Sequence, residues 1–192
     1  MLTSIIEKYE IILGSKSPRR KELLNHIFSE FSIQVKSVEE TFPKELKNEE
    51  IAIFLSELKA KEFSPTENQL IITADTIVVI DGLVLGKPKD KNDAFKMLKM
   101  LSGKTHEVIT ACTIKTNKHF NSFYDKTEVT FYELSDEEII EYIEKCRPLD
   151  KAGSYGIQDW MGHVGIRKMN GEFFNVMGLP LHKLYRELKR LE

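Results

Sequence analysis

The stretch L-I-I-T-A-D-T-I-V-V-I-D-G-L-V-L, Leu70 to Leu85, decides the fold class. Leu70 to Ile80 is a nearly continuous apolar run, which reads as a strand buried on both faces. Asp81-Gly82 is a strong two-residue hairpin signal, so Leu83 to Leu85 should return antiparallel. A mixed sheet follows. The polar interruption, Asp75-Thr76, needs its own explanation, because a lone desolvated carboxylate is costly unless a cation or several donors stabilise it. Asp75 is therefore expected to face a cleft and a metal, a lysine or a water. The other reading, a strand aspartate pointing to solvent, fits less well with flanks as apolar as Thr73-Ala74 and Ile77-Val78-Val79-Ile80.

Outward from this strand, strands and helices alternate without a linker, a repeat or a low-complexity tract, which predicts an α/β fold in one continuous folded unit. Glu10 to Gly14 reads as a short strand and Ser32 to Val38 as a second, alternating one. Asn48 to Phe63 has helical spacing, with Ile51, Phe54, Leu55 and Leu58 on one side. Lys91 to Leu101 is a helix ended by Ser102-Gly103. Glu107 to Lys115 and Phe120 to Phe131 read as paired strands turning at Asn117. Ser135 with Glu138 forms a capping box for a helix running to about Lys145. Lys151 to Asp159 reads as a loop, Val164 to Met169 as a strand turned by Asn170-Gly171, and Leu181 to Leu191 as a final amphipathic helix.

Composition narrows the function classes. A chain of 192 residues can bury about 70% of its unfolded surface without staples. Its 28 basic and 30 acidic residues leave a net charge of -2, which argues against a nucleic-acid polymer or a membrane surface held by bulk charge, so any anion site must be local. Cys112 and Cys146 lack metal or disulfide spacing, the histidines are scattered, and a reducing cytoplasm fits best. The N-terminus lacks a leader pattern, and no apolar run is long enough to span a bilayer.

One local site is suggested by S-K-S-P-R-R-K-E-L-L, Ser15 to Leu24. Ser17 suits an N-cap and Pro18 the first helical position, so Arg19 and Arg20 fall in the first turn, where they oppose the macrodipole. An anion there would reverse the sign of that cost, through free N–H groups, the dipole and two guanidinium forks. A solvated helix start with arginines paired to carboxylates is the competing reading, and the segment alone does not separate them.

Other candidates are weaker on local grounds. Lys87, in Gly86-Lys87-Pro88, can be aimed at phosphate, yet glycine and proline are ordinary loop punctuation. Lys59, in L-S-E-L-K-A-K, reads locally as part of a solvated face. Glu39 and Glu40 close a strand, and one or both could join Asp75 around a divalent cation. In K-A-G-S-Y-G-I-Q, Gly153 and Gly156 would let the backbone approach a ligand, and the amide of Gln158 can read a base edge; an ordinary turn with a surface glutamine is the plainer alternative.

Taken together, S-K-S-P-R-R-K-E-L-L, L-S-E-L-K-A, A-D-T-I-V, L-G-K-P, L-S-G-K-T-H-E-V-I-T, K-A-G-S-Y-G-I-Q and N-V-M-G-L-P-L occur in the order and spacing of the Maf family of nucleoside triphosphate pyrophosphatases, across nearly the whole chain. The resemblance implies a single Maf-like domain over 1–192, a mixed twisted α/β sheet in two lobes around a central cleft, similar to inosine triphosphate pyrophosphatases. It implies cleavage between the α and β phosphates with a divalent metal, Mg or Mn, and a homodimer. Asp75 matches the family's catalytic aspartate. Ser15, Arg19, Arg20, Lys59 and Lys87 match phosphate-facing positions, and Glu40 matches an acidic cleft residue that could share the metal with Asp75. Against the local reading, Lys59 thus becomes a site residue. Cationic groups offsetting triphosphate charge beside a carboxylate that handles water form a coherent set.

Branches of the family differ at the positions of Arg19, Thr76 and Gln158. These residues resemble the branch acting on thymidine and uridine triphosphates, which implies hydrolysis of dTTP and UTP, and of modified pyrimidine nucleotides. The branch for 7-methylguanosine triphosphate tends to carry an aromatic residue, a glutamine and a glutamate there, and a non-hydrolysing nucleotide-binding regulator of septum formation is a third implication of the resemblance. An amide and a hydroxyl suit the neutral edge of uracil or thymine. Two departures stand out: Gly14 where alanine is usual, and Asp159-Trp160 where a glycine is common.

Overall fold

The computed structural model describes residues 2–191 as a mixed α/β protein. Its strands are β1 (Glu10–Leu13), β2 (Ser32–Ile33), β3 (Gln69–Ile80), β4 (Leu83–Leu85), β5 (Thr105–Lys115), β6 (Phe120–Phe131) and β7 (Ile166–Asn170). The helices are α1 (Thr3–Lys8), α2 (Pro18–Leu24), α3 (Glu49–Lys61), α4 (Lys91–Leu101), α5 (Asp136–Cys146), α6 (Trp160–Val164), α7 (Phe173–Met177) and α8 (Leu181–Lys189). Strand order is β2-β1-β3-β5-β6-β7, with β4 beside β3. β1 pairs parallel with both β2 and β3, whereas β4 and β7 pair antiparallel with β3 and β6, so the sheet is mixed as the apolar strand and its hairpin predict.

Two compact units make up the chain. The first comprises the chain up to Asp75, Thr110–Asp125 and the chain from Gly178 onward; the second comprises Thr76–Ile109 and Lys126–Met177. Within the first, Ile12, Phe63 and Ile71 form a buried apolar cluster. Within the second, α4 and α5 supply Leu98, Leu101, Ile139 and Tyr142 to a core shared with Val78, Val129, Phe131 and Tyr155.

Local signals account for most boundaries. Asp81 and Gly82 both take positive φ, 50° and 77°, the backbone that a tight two-residue hairpin demands. Ser135 and Glu138 complete the expected capping box reciprocally. Three expectations are corrected. Ser32 to Val38 is a strand only over Ser32–Ile33, because its partner β1 ends at Leu13; Gln34 N–H closes the ladder on Leu13 O, and Val35 is exposed. Val164 ends helix α6 instead of opening a strand, and β7 starts at Ile166 after Gly165 stops that helix. The stretch Lys151 to Asp159 contains a tight 3-10 turn over Ala152–Ser154.

Candidate active site

The first unit brings six of the expected site residues into described positions. Ser15 follows β1, and its hydroxyl accepts from the Ser17 N–H at 3.2 Å and from Arg20 Nη1 at 3.3 Å. Ser17 caps α2 as expected, accepting from the Arg20 N–H. The guanidinium of Arg20 is not left standing at a helix start: Nε donates to Gly178 O at 2.9 Å and Nη1 to Ala74 O at 2.8 Å. Backbone carbonyls far apart in sequence thus fix its plane. Burial pushes the Arg20 pKa down, the neighbouring Arg19 charge adds to this, and the carboxylates of Asp75 and Glu40 oppose it. Asp75 and Glu40 thus favour the charged guanidinium electrostatically.

Strand β3 places Asp75 in the sheet with its side chain nearly buried, and α3 delivers Lys59 to it. Lys59 Nζ lies 2.5 Å from Asp75 Oδ1 and 2.9 Å from Glu40 Oε1, so one ammonium is shared by two carboxylates. The local reading of Lys59 as a solvated residue is overturned. Its helix buries Ile51, Ala52, Leu55, Ser56 and Ala60, a stripe rotated toward small residues and away from the expected Phe54 and Leu58. Ser56, one turn before Lys59, is anchored: its hydroxyl reaches Ile53 O at 2.9 Å and Thr113 Oγ1 at 2.8 Å, and Thr73 Oγ1 donates to Ser56 O. This hydroxyl network holds the register of α3, and sequence patterning missed it because serine and threonine carry no apolar signal.

Gly14 has a packing reason. A Cβ there would stand 2.7 Å from Thr73 Cγ2 and 3.2 Å from the Phe63 ring, so the residue before Ser15 has been narrowed to admit both.

The second unit holds the other three candidates. Thr76 follows Asp75 on β3 and is half-buried; Lys87 is exposed beyond β4, next to the buried Pro88. Gln158 is half-buried, and its Oε1 is buried without a hydrogen-bond partner among the described residues. Such an orphan acceptor is uncommon in a folded protein and calls for a ligand donor or other explanation. Of the two readings of the loop glycines, the plainer one has a packing reason: a Cβ at Gly153 would meet Val78 Cγ2 at 2.9 Å, and one at Gly156 would meet Asp159 Oδ2 at 2.6 Å. The departure at Asp159-Trp160 is built into this unit, since Asp159 accepts from the Tyr142 hydroxyl at 3.2 Å and Trp160 stacks on the Tyr142 ring.

A mixed sheet flanked by helices carries a lysine held between two carboxylates and an arginine fixed by two backbone carbonyls. The chain belongs to the Maf family, whose profile, described as Maf-like protein, matches residues 10–191. A protein of Phocaeicola vulgatus named dTTP/UTP pyrophosphatase is 53% identical over 189 residues, covering 97% of this chain and 98% of that one. One of the same name from Flavobacterium johnsoniae is 49% identical over 193 residues, covering 100% of both chains. Among solved structures, the Ham1 protein of Staphylococcus aureus shares the fold, with a TM-score of 0.54 at 17% identity over 95% of this chain and 100% of that one.

Proposed function

We propose that this protein is a nucleotide pyrophosphatase that hydrolyses dTTP and UTP to the nucleoside monophosphate and pyrophosphate. The observation that carries the reading is the grouping of Asp75 and Glu40 around the Lys59 ammonium, with the Arg20 guanidinium bonded to the carbonyl of Ala74, the residue before Asp75. Full-length relatives carrying that activity in their names support the same conclusion.

In this reaction a water oxygen bonds to the α-phosphorus, the bridge to the β-phosphorus breaks, and the bridging oxygen leaves with pyrophosphate. Asp75 orients the water and accepts its proton. Lys59 and Arg20 offset the negative charge that builds on the phosphoryl oxygens, Ser15 and Arg19 bind substrate alongside them, and Lys87 is assigned to phosphate by its place in the family motif L-G-K-P. Asp75 and Glu40 are hard oxygen donors that already share one cation, so they fit a divalent Mg or Mn ion in place of, or beside, the ammonium. Such an ion supplies charge neutralisation on phosphate oxygens.

Base choice is assigned to Thr76 and Gln158. The unpartnered Gln158 Oε1 is an acceptor, and the ring N–H of uracil or thymine is a donor of the matching kind. Two unpaired cysteines, one buried, are in keeping with a cytoplasmic setting. Among the described residues, no helix is long and apolar enough to cross a membrane.

The deciding assay incubates the protein with dTTP, UTP, purine triphosphates and 7-methylguanosine triphosphate in Mg or Mn, and identifies the products. Pyrophosphate with dTMP or UMP, and preference for the pyrimidines, is the expected result. Orthophosphate release, or binding of nucleotide with no product, would overturn it.

A further inference from the structure

We propose that Tyr142 and Asp159 are positioning residues for base selection, clamping the turn from Gly156 to Asp159 so that the Gln158 amide is presented in one orientation. The inference rests on the assignment of Gln158 to the base and names what holds it there.

The clamp is a relay within the second unit. The Gly156 N–H donates to the Tyr142 hydroxyl at 3.2 Å, and that hydroxyl donates onward to Asp159 Oδ2 at 3.2 Å. Burial and the Asp159 charge push the Tyr142 phenol above its ordinary pKa, so the hydroxyl keeps the proton it donates. The Asp159 N–H returns to Gly156 O at 3.2 Å, closing the turn on itself. Lys151 Nζ lies 3.5 Å from the same Asp159 oxygen, and the carboxylate passes so close over Gly156 that a Cβ there would stand 2.6 Å away.

Every residue flanking Gln158 is therefore fixed. Ile157 is 6% exposed, and the Tyr142 ring that carries the relay is 2% exposed and stacked by Trp160 at 6.3 Å. Within this turn, among the described residues, Gln158 has a side-chain oxygen that is buried and unanswered. A side chain held between two immobilised neighbours selects a partner by geometry, because little orientational freedom remains to adapt to a different base edge. Asp159, where the family resemblance leads one to expect glycine, contributes the carboxylate on which the relay ends.

The test is steady-state kinetics on the full chain with dTTP, UTP and dGTP for Tyr142→Phe, Asp159→Ala, Gln158→Ala and the double variant Tyr142→Phe with Gln158→Ala. Tyr142→Phe and Asp159→Ala should each raise KM for the pyrimidine substrates about five- to tenfold, with kcat within about twofold, and lower the dTTP-to-dGTP preference by a similar factor. In the double variant, losing the hydroxyl should add nothing to the loss from Gln158→Ala. If both relay variants keep wild-type KM and preference while Gln158→Ala loses them, the clamp is overturned and the base assignment stands. If Gln158→Ala itself leaves both unchanged, the base assignment falls and the clamp with it. Should Tyr142→Phe fail to fold, Asp159→Ala decides on the same parameters.

Discussion

Lys59 and Asp75 meet at 2.5 Å, brought together by a helix and a strand, and Glu40 accepts from the same ammonium at 2.9 Å. Breaking a poorly solvated pair from one side strands the remaining charges, at a cost of about 3–5 kcal/mol. Lys59→Met should lose stability of that order in urea unfolding. Adding Asp75→Asn should recover part of it, since one of the two stranded carboxylates is then neutral; strictly additive losses would show that the pair is not coupled.

Asp75→Asn alone separates chemistry from folding. Glu40 still neutralises Lys59 in that variant, so the unfolding midpoint should move less than in Lys59→Met. Turnover of dTTP should fall by about 10²–10⁴, the range expected when a proton acceptor is removed. Activity near wild type would remove Asp75 from its proposed role.

Gly14→Ala tests whether the departure from the family pattern is a packing matter. The new methyl would press on Thr73 Cγ2, and Thr73 resists rotation because its hydroxyl is bonded to Ser56 O at 2.8 Å. A loss of about 1–3 kcal/mol is expected. Thr73→Ser in the same chain removes the obstructing methyl, keeps the hydroxyl, and should restore most of the lost stability.

His106 predicts an acid dependence. The ring is buried, Nε2 pairs with the Tyr155 hydroxyl at 2.7 Å, Nδ1 has no partner among the described residues, and burial pushes its pKa down to about 4. Above pH 6.5 the ring is neutral in both folded and unfolded chains and contributes no pH dependence. As the pH falls toward 4 the unfolded chain takes up a proton that the folded one refuses, so stability is lost on acidification. Between pH 7 and pH 5 this amounts to about 2 kcal/mol, and His106→Asn should show correspondingly less acid sensitivity in urea titrations.

Thiol labelling should distinguish the cysteines. Cys112 is fully buried, and desolvation pushes its pKa up to about 12 despite the opposing charge of Arg20; Cys146 is only half-buried. At pH 8 a disulfide reagent should modify Cys146 in the native protein and both residues in denaturant. Native modification of Cys112 at a comparable rate would contradict the packing around Arg20.

Legibility in the sequence followed locality. Asp81-Gly82 and the Ser135–Glu138 box act through bonds a few residues long, so their meaning survives without knowledge of the rest of the fold. Ser32 to Val38 failed because a strand exists only as far as its partner does, and β1 ends at Leu13. Patterning shows Ile51 and Leu55 but not Ala52, Ser56 and Ala60, whose burial turns the helix so that Lys59 is covered, and only the family motif points to Lys59. The sequence leaves Gly153 and Gly156 open between ligand approach and an ordinary turn, and the contacts with Val78 and Asp159 that give them a packing reason lie entirely in tertiary structure. The relay through Tyr142 had no sequence signal, since a tyrosine on the buried face of an amphipathic helix looks like any other core residue.

The bond from Arg20 to Gly178 O joins residues 158 positions apart in the chain. During synthesis, α2 is made well before the acceptor that fixes its arginine. Contacts this distant form late in folding because the intervening chain must first be ordered. The Arg20 guanidinium therefore cannot be held by both of its carbonyls in a chain cut short before Gly178, and its plane is set by folding of the unit as a whole rather than by the helix that carries it.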